Sequence, residues 1–216
     1  MDIGGYLIYH PKRVVSKFRD FKVYHDKLSG NQDPYVWNSC FLHTYCHITQ
    51  MKPQEGHINF WVSDDTFPNF SHLYCDLVFV VKSKQYWVQP NTINSDDTIV
   101  DSPAAYLDHY RWAELGEHNF KRRRRFTLKA DPKLSFQPED ANSELIDVLQ
   151  FLGLNEAKIT ELRRGMQSGY GSQPYALGKN QTNELYFWIQ QTATIKLSGD
   201  LLETLHKNHI FTQSAK

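Results

Sequence analysis

The most chemically distinctive residues form a run of cations. Lys121, Arg122, Arg123, Arg124, Arg125 and Lys129 carry six positive charges with no acid between them, and Phe120, Phe126 and Leu128 flank or interrupt the run. On a β-strand, alternation puts Phe120, Arg122, Arg124, Phe126 and Leu128 in one row and Lys121, Arg123, Arg125 and Lys129 in the other. The second row is wholly cationic. The planar fork of arginine fits phosphate oxygens and its plane stacks on bases, so such a row is a track for a nucleic-acid backbone or a seat for a nucleotide phosphate. The competing reading is a solvated edge strand whose charges keep sheets from pairing end to end.

A second group is aromatic and polar: Trp37-Asn38-Ser39, then Trp61-Val62-Ser63, and Tyr86-Trp87. Trp37 and Trp61 lie beside small hydrogen-bonding groups, the chemistry of a pocket that stacks a flat ring and reads its edge. The alternative is that these tryptophans fill the core and their indole N–H groups meet backbone carbonyls. Cys40, His43, Cys46 and His47 crowd together, and His72 stands three before Cys75. Paired CxxC or HxxxH spacings are absent, and adjacent Cys46 and His47 would point to opposite faces of a strand, so we expect free thiols and no metal or cofactor. Asp64-Asp65 and Asp96-Asp97 invite an acid/base reading, but neighbouring aspartates in loops are common turn chemistry. The glycine loop Gly169-Tyr170-Gly171 matches neither the dinucleotide nor the P-loop fingerprint.

Strand signals dominate the first half. They are Tyr6–Tyr9, Phe41–Thr49, His57–Val62 after a turn with Pro53 and Gly56, the apolar run Leu77–Val81, and Tyr86–Val88 returning through a turn at Lys82–Gln85. Ser102-Pro103 opens a helix running to about Leu115. From Asn142 the period becomes helical: Leu145, Val148, Leu149 and Leu152 share a face and Gly153 stops it. A second helix starts from Asn155 as cap and runs through Ile159 and Leu162 to Gly165. Met166–Lys179 reads as a loop, Glu184–Leu197 as helix then strand, and Gly199–His209 as a closing helix. The fold expected is α+β, a mixed or antiparallel curled sheet with added C-terminal helices, divided into a β-rich domain over 1–138 and a helical extension over 139–216.

The 216 residues include 40% apolar and 14% aromatic side chains, ample for a packed core. Lys plus Arg equal Asp plus Glu at 24 each, which excludes polyanion binding over the whole surface. The balance hides a dipolar chain: from Asp64 to Asp108 there are seven aspartates against Lys82 and Lys84, a local charge of −5. No stretch reaches the ~18 apolar residues of a membrane span and the start lacks a secretory pattern, so a cytoplasmic protein without membrane partners is expected.

Lys52-Pro53, Gly56-His57-Ile58-Asn59-Phe60-Trp61-Val62-Ser63 and Cys75-Asp76-Leu77-Val78-Phe79-Val80 together resemble the core of the PUA-like superfamily, which includes ASCH, EVE and nucleotide-modification-associated domains. The resemblance spans Tyr6 to Lys129 and departs from the family pattern at His57, where that pattern has an acid. It implies a small pseudobarrel binding nucleic acid or a modified base. Trp37, Asn38, Ser39, Trp61 and Ser63 would contact the base, and Lys121, Arg123, Arg125 and Lys129 the phosphate. The alternative function is a metal-dependent nuclease of bacterial or phage conflict systems built on Asp64, His72 and Asp76. The C-terminal helices are a possible surface for a protein partner.

Overall fold

The computed structural model describes residues 2–9, 13–18, 21–26, 44–48, 53–63, 72–86, 126–153, 155–166 and 174–198. The strands are β1 (Ile3–Tyr9), β2 (Arg13–Phe18), β3 (Phe21–Asp26), β4 (Thr44–Ile48), β5 (Ile58–Ser63), β6 (Tyr74–Tyr86), β7 (Phe126–Ala130), β8 (Phe136–Glu139), β9 (Tyr175–Gly178) and β10 (Ile195–Ser198). Helices are α1 (Leu149–Leu152), α2 (Glu156–Met166) and α3 (Lys179–Thr192). The class is α+β. One sheet runs β10-β8-β6-β5-β1-β9, with β7 also on β6 and β4 on β7, while β2 and β3 form a separate hairpin. β1 and β5 are parallel and the other pairs antiparallel, so the sheet is mixed. Its path ends at β10 and β9, and no pairing joins these two among the described residues.

Alternation gives the central sheet two different faces. Leu7, Tyr9, Phe60, Val62 and Val78 belong to the apolar core, joined by Leu177. Helix α3 covers this face because Thr182, Leu185, Tyr186 and Ile189, spaced at i, i+3, i+4 and i+7, are its buried residues. Each apolar side chain among them contributes about 2 kcal/mol by leaving water. From α3, Trp188 stacks on Phe151 with ring centres 5.0 Å apart, and Tyr186 meets Phe136 edge-on at 6.1 Å.

Close approach requires the glycines of β1. A side-chain carbon on Gly5 would lie 1.9 Å from the Ile58 carbonyl oxygen, and one on Gly4 would lie 2.7 Å from Lys179 Cα. The start of α3 is thereby seated against β1, where Lys179 N–H donates to the Asp2 carbonyl at 2.9 Å.

Three expectations are corrected. Lys82–Gln85 is not a turn: β6 runs unbroken for 13 residues. Its first half pairs with β5 and its second with β7, across an irregularity between Val81 and Ser83, so the chain has partners that keep it extended. The first half of the segment expected as a helix from Leu145 is not helical either. The amides of Cys75 and Val148 bond to the carbonyls of Ile146 and Leu73, and tertiary pairing overrides the helical period until Leu149. Within the expected loop 166–179, Tyr175–Gly178 is strand β9, whose partner β1 lies far away in sequence. Other expectations match: Asn155 Oδ1 caps α2 by accepting from Lys158 N–H at 2.9 Å, and helix α3 precedes strand β10. The expected helices near 102–115 and 199–209 lie outside the described residues.

Gln137 ties the β2–β3 hairpin to β8. Its Oε1 accepts from Tyr24 N–H at 2.9 Å, and its Nε2 donates to the Lys22 carbonyl at 2.6 Å and to Glu139 Oε1 at 2.8 Å. Burial holds the Glu139 carboxyl above its ordinary value of 4.5, opposed by the hydrogen bond from Gln137 and the nearby Lys22 charge. Because this value is raised on folding, its contribution is fully stabilising below about pH 4.5 and is lost as pH rises through the raised value. Glu139→Gln keeps an acceptor for Gln137 and removes the ionisation, so Tm at pH 7 should rise and the gain should vanish towards pH 4. Gly5→Ala should destabilise by about 3 kcal/mol, because backbone must move to admit the methyl group. Thermal melts at several pH values and urea denaturation check both outcomes.

Candidate ligand-binding face

The second face of the central sheet is also buried, and on it Asn59, Ser63 and Asp76 lie among the apolar side chains of Ile8, Trp61, Leu77 and Phe79. Register puts Tyr6 beside Asn59 and Ile8 beside Trp61, and Ser63 follows in the same alternating row of β5. Trp61 is 4% exposed, and Asn59 and Ser63 are fully buried. Opposite them on β6, Trp61 faces Leu77 while Val62 faces Cys75, which leaves Asp76 as an extra residue. Such a bulge re-aims its side chain. The Asp76 carboxylate is consequently held by the Ser63 hydroxyl, which donates to Oδ1 at 2.8 Å in the buried interior.

Seven polar or charged side chains are buried among the described residues, and six of them are hydrogen-bonded. Ser63 and Asp76 bond each other, and Ser135 Oγ accepts from Val80 N–H at 2.9 Å between β7 and β8. Gln137 and Glu139 share a bond, and Thr182 Oγ1 donates to the Gly178 carbonyl. Asn59 is the exception: neither Oδ1 nor Nδ2 has a hydrogen-bond partner among the described residues.

His57, two residues before Asn59 in the same row, has its ring centre 6.0 Å from that of Tyr6. Gln54 N–H donates to His57 Nδ1 at 3.1 Å, which requires that nitrogen unprotonated. Burial lowers the imidazole from its usual range, with Asp2 opposing and Lys84 adding to the shift. Burial likewise raises the Tyr6 hydroxyl and lowers the Lys84 ammonium. His57 and Lys84 are only half-buried and form the wetter end of this row.

Of the residues expected to contact a base, Trp61 and Ser63 share this face. Trp37, Asn38 and Ser39 lie outside the described residues, as do Lys121, Arg123 and Arg125. Lys129 is within β7, where its backbone pairs with Ser83 of β6 and Thr44 of β4. Leu128, from the row opposite the cations, is fully buried and pairs with Lys84. Sequence reading passed over Asn59, although it stands two positions before Trp61 and so in the same alternating row. The partnership of Asp76 with Ser63 depends on a bulge that leaves no local mark.

The residues considered for a nuclease have other surroundings. His72 Nδ1 lies 2.8 Å from Asp147 Oδ2 on an exposed stretch, and Asp147 Oδ1 accepts from the amides of Leu73 and Leu149. Asp76 is buried with Ser63, and Asp64 lies outside the described residues. Among the described residues no three His, Cys, Asp or Glu side chains group closely enough to hold a metal ion. Cys75 is a free, fully buried thiol, raised well above its usual range first by burial and then by Asp76. A thiol so raised is a poor nucleophile.

Comparison with known proteins finds no family model that matches the chain, no similar curated protein and no similar solved structure. No described helix is long and apolar enough to cross a membrane.

Ser63→Ala removes the donor to a buried carboxylate and should lower stability by about 2 kcal/mol, with the urea m-value unchanged. A loss below about 0.5 kcal/mol would mean that the Ser63 bond does not hold Asp76.

Proposed function

We propose that this protein binds nucleic acid or a nucleotide, with the base against the polar face of β5 and β6 and the phosphate on the cations of residues 121–129. One observation carries the reading: Asn59, Ser63 and Asp76 are buried beside Trp61 on a face whose other members, Ile8, Leu77 and Phe79, are apolar, whereas the opposite face of β5 and β6 buries no polar side chain among the described residues. Burying polar groups costs free energy, and a cluster of them beside an indole is the lining of a site that reads the edge of a flat ring. Trp61, almost wholly buried, serves as a floor; stacking on an open ring falls to Trp37, with Asn38 and Ser39 alongside it. Lys121, Arg123, Arg125 and Lys129 take the phosphate, in a run whose last residues belong to β7 and hence to the sheet that carries the polar face.

In this reading the frame is PUA-like. The turn at Gly56, where φ is +81°, and the paired strands β5 and β6 are the parts of the chain that bear the motif resemblance, and they support it. The base-binding wall is built on those two strands, and the helices after residue 148 are an addition to the frame.

Titration of the intrinsic tryptophan fluorescence with single-stranded DNA, RNA and mononucleotides at two salt concentrations tests the proposal. Affinity should fall as salt rises, because phosphate contacts release counterions. Arg123→Ala and Arg125→Ala should each weaken oligonucleotide binding without regard to sequence and reduce the salt slope by about one. Absence of binding to every ligand at low salt would overturn the reading.

A further inference from the structure

An amide in a protein interior keeps its hydrogen bonds or loses stability, and an unpartnered buried one in a native fold needs an explanation. Asn59 is fully buried, with neither its oxygen nor its nitrogen bonded among the described residues. It sits on β5, a central strand with β1 on one side and β6 on the other, so its backbone is fixed on both edges. The side chain is therefore held ready rather than left loose. Its two groups lie side by side, one accepting and one donating, and match a ring edge that sets a donor next to an acceptor.

The groups around it narrow the ligand. Further along the same face the buried Asp76 carboxylate, fixed by Ser63, is an acceptor of hydrogen bonds. A buried carboxylate among apolar neighbours repels carbonyl oxygens and favours amino groups. Guanine, cytosine and uracil all carry carbonyl oxygens; adenine carries none. Adenine also presents an exocyclic amine beside a ring nitrogen, the pair of groups that an asparagine amide engages with two hydrogen bonds. Of the β5 row His57, Asn59, Trp61 and Ser63, His57 is the half-buried member, so a ligand would have to approach Asn59 from that end.

We infer that Asn59 is the base-reading residue of this face and that the base it reads is adenine, an assignment that rests on the nucleotide-binding reading above. The amide is left without a protein partner because the ligand supplies it.

The test measures binding of AMP, GMP, CMP and UMP to the full chain and to Asn59→Leu at low salt, together with the Tm of both proteins without ligand. The wild-type protein should bind AMP at least about tenfold more tightly than the others, and Asn59→Leu should lose between about tenfold and a hundredfold in AMP affinity. The free variant should melt at a higher temperature, because a leucine of similar size replaces an unpartnered amide. A merely structural asparagine would give the opposite shift. Wild-type binding with no preference for AMP would overturn the assignment and leave nucleotide binding standing, as would unchanged AMP affinity or a lowered Tm in the variant. Failure of the wild type to bind any of the four mononucleotides, or an oligonucleotide, would overturn both.

Discussion

The structure depends on satisfying the backbone of one long strand. Thirteen residues of β6 present peptide groups along two edges, and buried peptide groups must be paired. β5 takes one edge, while β7 and β8 share the other, end to end. Where the second edge passes from β7 to β8, the hydroxyl of Ser135 accepts from the Val80 amide and fills the gap. Two irregularities relieve the geometry of so long a ladder, and the one at Asp76 also decides the chemistry of the sheet. Counted back from Leu77, which pairs with Trp61, strict alternation would turn the Asp76 carboxylate to the apolar side that Val78 occupies. With the extra residue, the carboxylate meets Ser63.

The two faces of β5 divide the work between them. Phe60 and Val62 hold the sheet to α3 and to the segment that follows Leu145, a conventional hydrophobic core. Asn59, Trp61 and Ser63 face the other way, and there the unpartnered amide of Asn59 contributes less to stability than an apolar residue of the same size would. Such placement on a rigid central strand keeps the groups in fixed positions, which is what recognition requires. Under the proposed function, stability and recognition would be drawn from alternate residues of one six-residue strand.

Much of the frame was legible in the sequence because its signals are local. The β-branched and aromatic residues of Ile58–Ser63 and the apolar run Leu77–Val81 read as strands without knowledge of their partners. Asn155 announces the start of α2 through its own side chain, and the left-handed Gly153 ends α1. The misreadings fall where the deciding contact is remote. Leu145 to Leu152 has helical spacing, yet the backbone of its first half is captured by residues 73–75, and the four residues of β9 carry no strand signal apart from β1. The site was legible in part. Trp61 and Ser63 were chosen for their chemistry and share one face, but Asn59 drew no attention, since an isolated asparagine within a strand looks like a flaw until its lack of partners is known. The cationic row and the Trp37-Asn38-Ser39 tripeptide lie outside the described residues, and their chemistry rests on sequence alone.

The clamp at Gln137 has an evolutionary consequence. Because its amide grips main-chain atoms at residues 22 and 24, this part of the docking of the β2–β3 hairpin survives a change of side chain there, while the buried Tyr24 and the Lys22–Glu144 pair add contacts that do not. Descendants of this chain can therefore vary those two side chains and keep the main-chain grip, whereas the single glutamine beneath it has little room to drift.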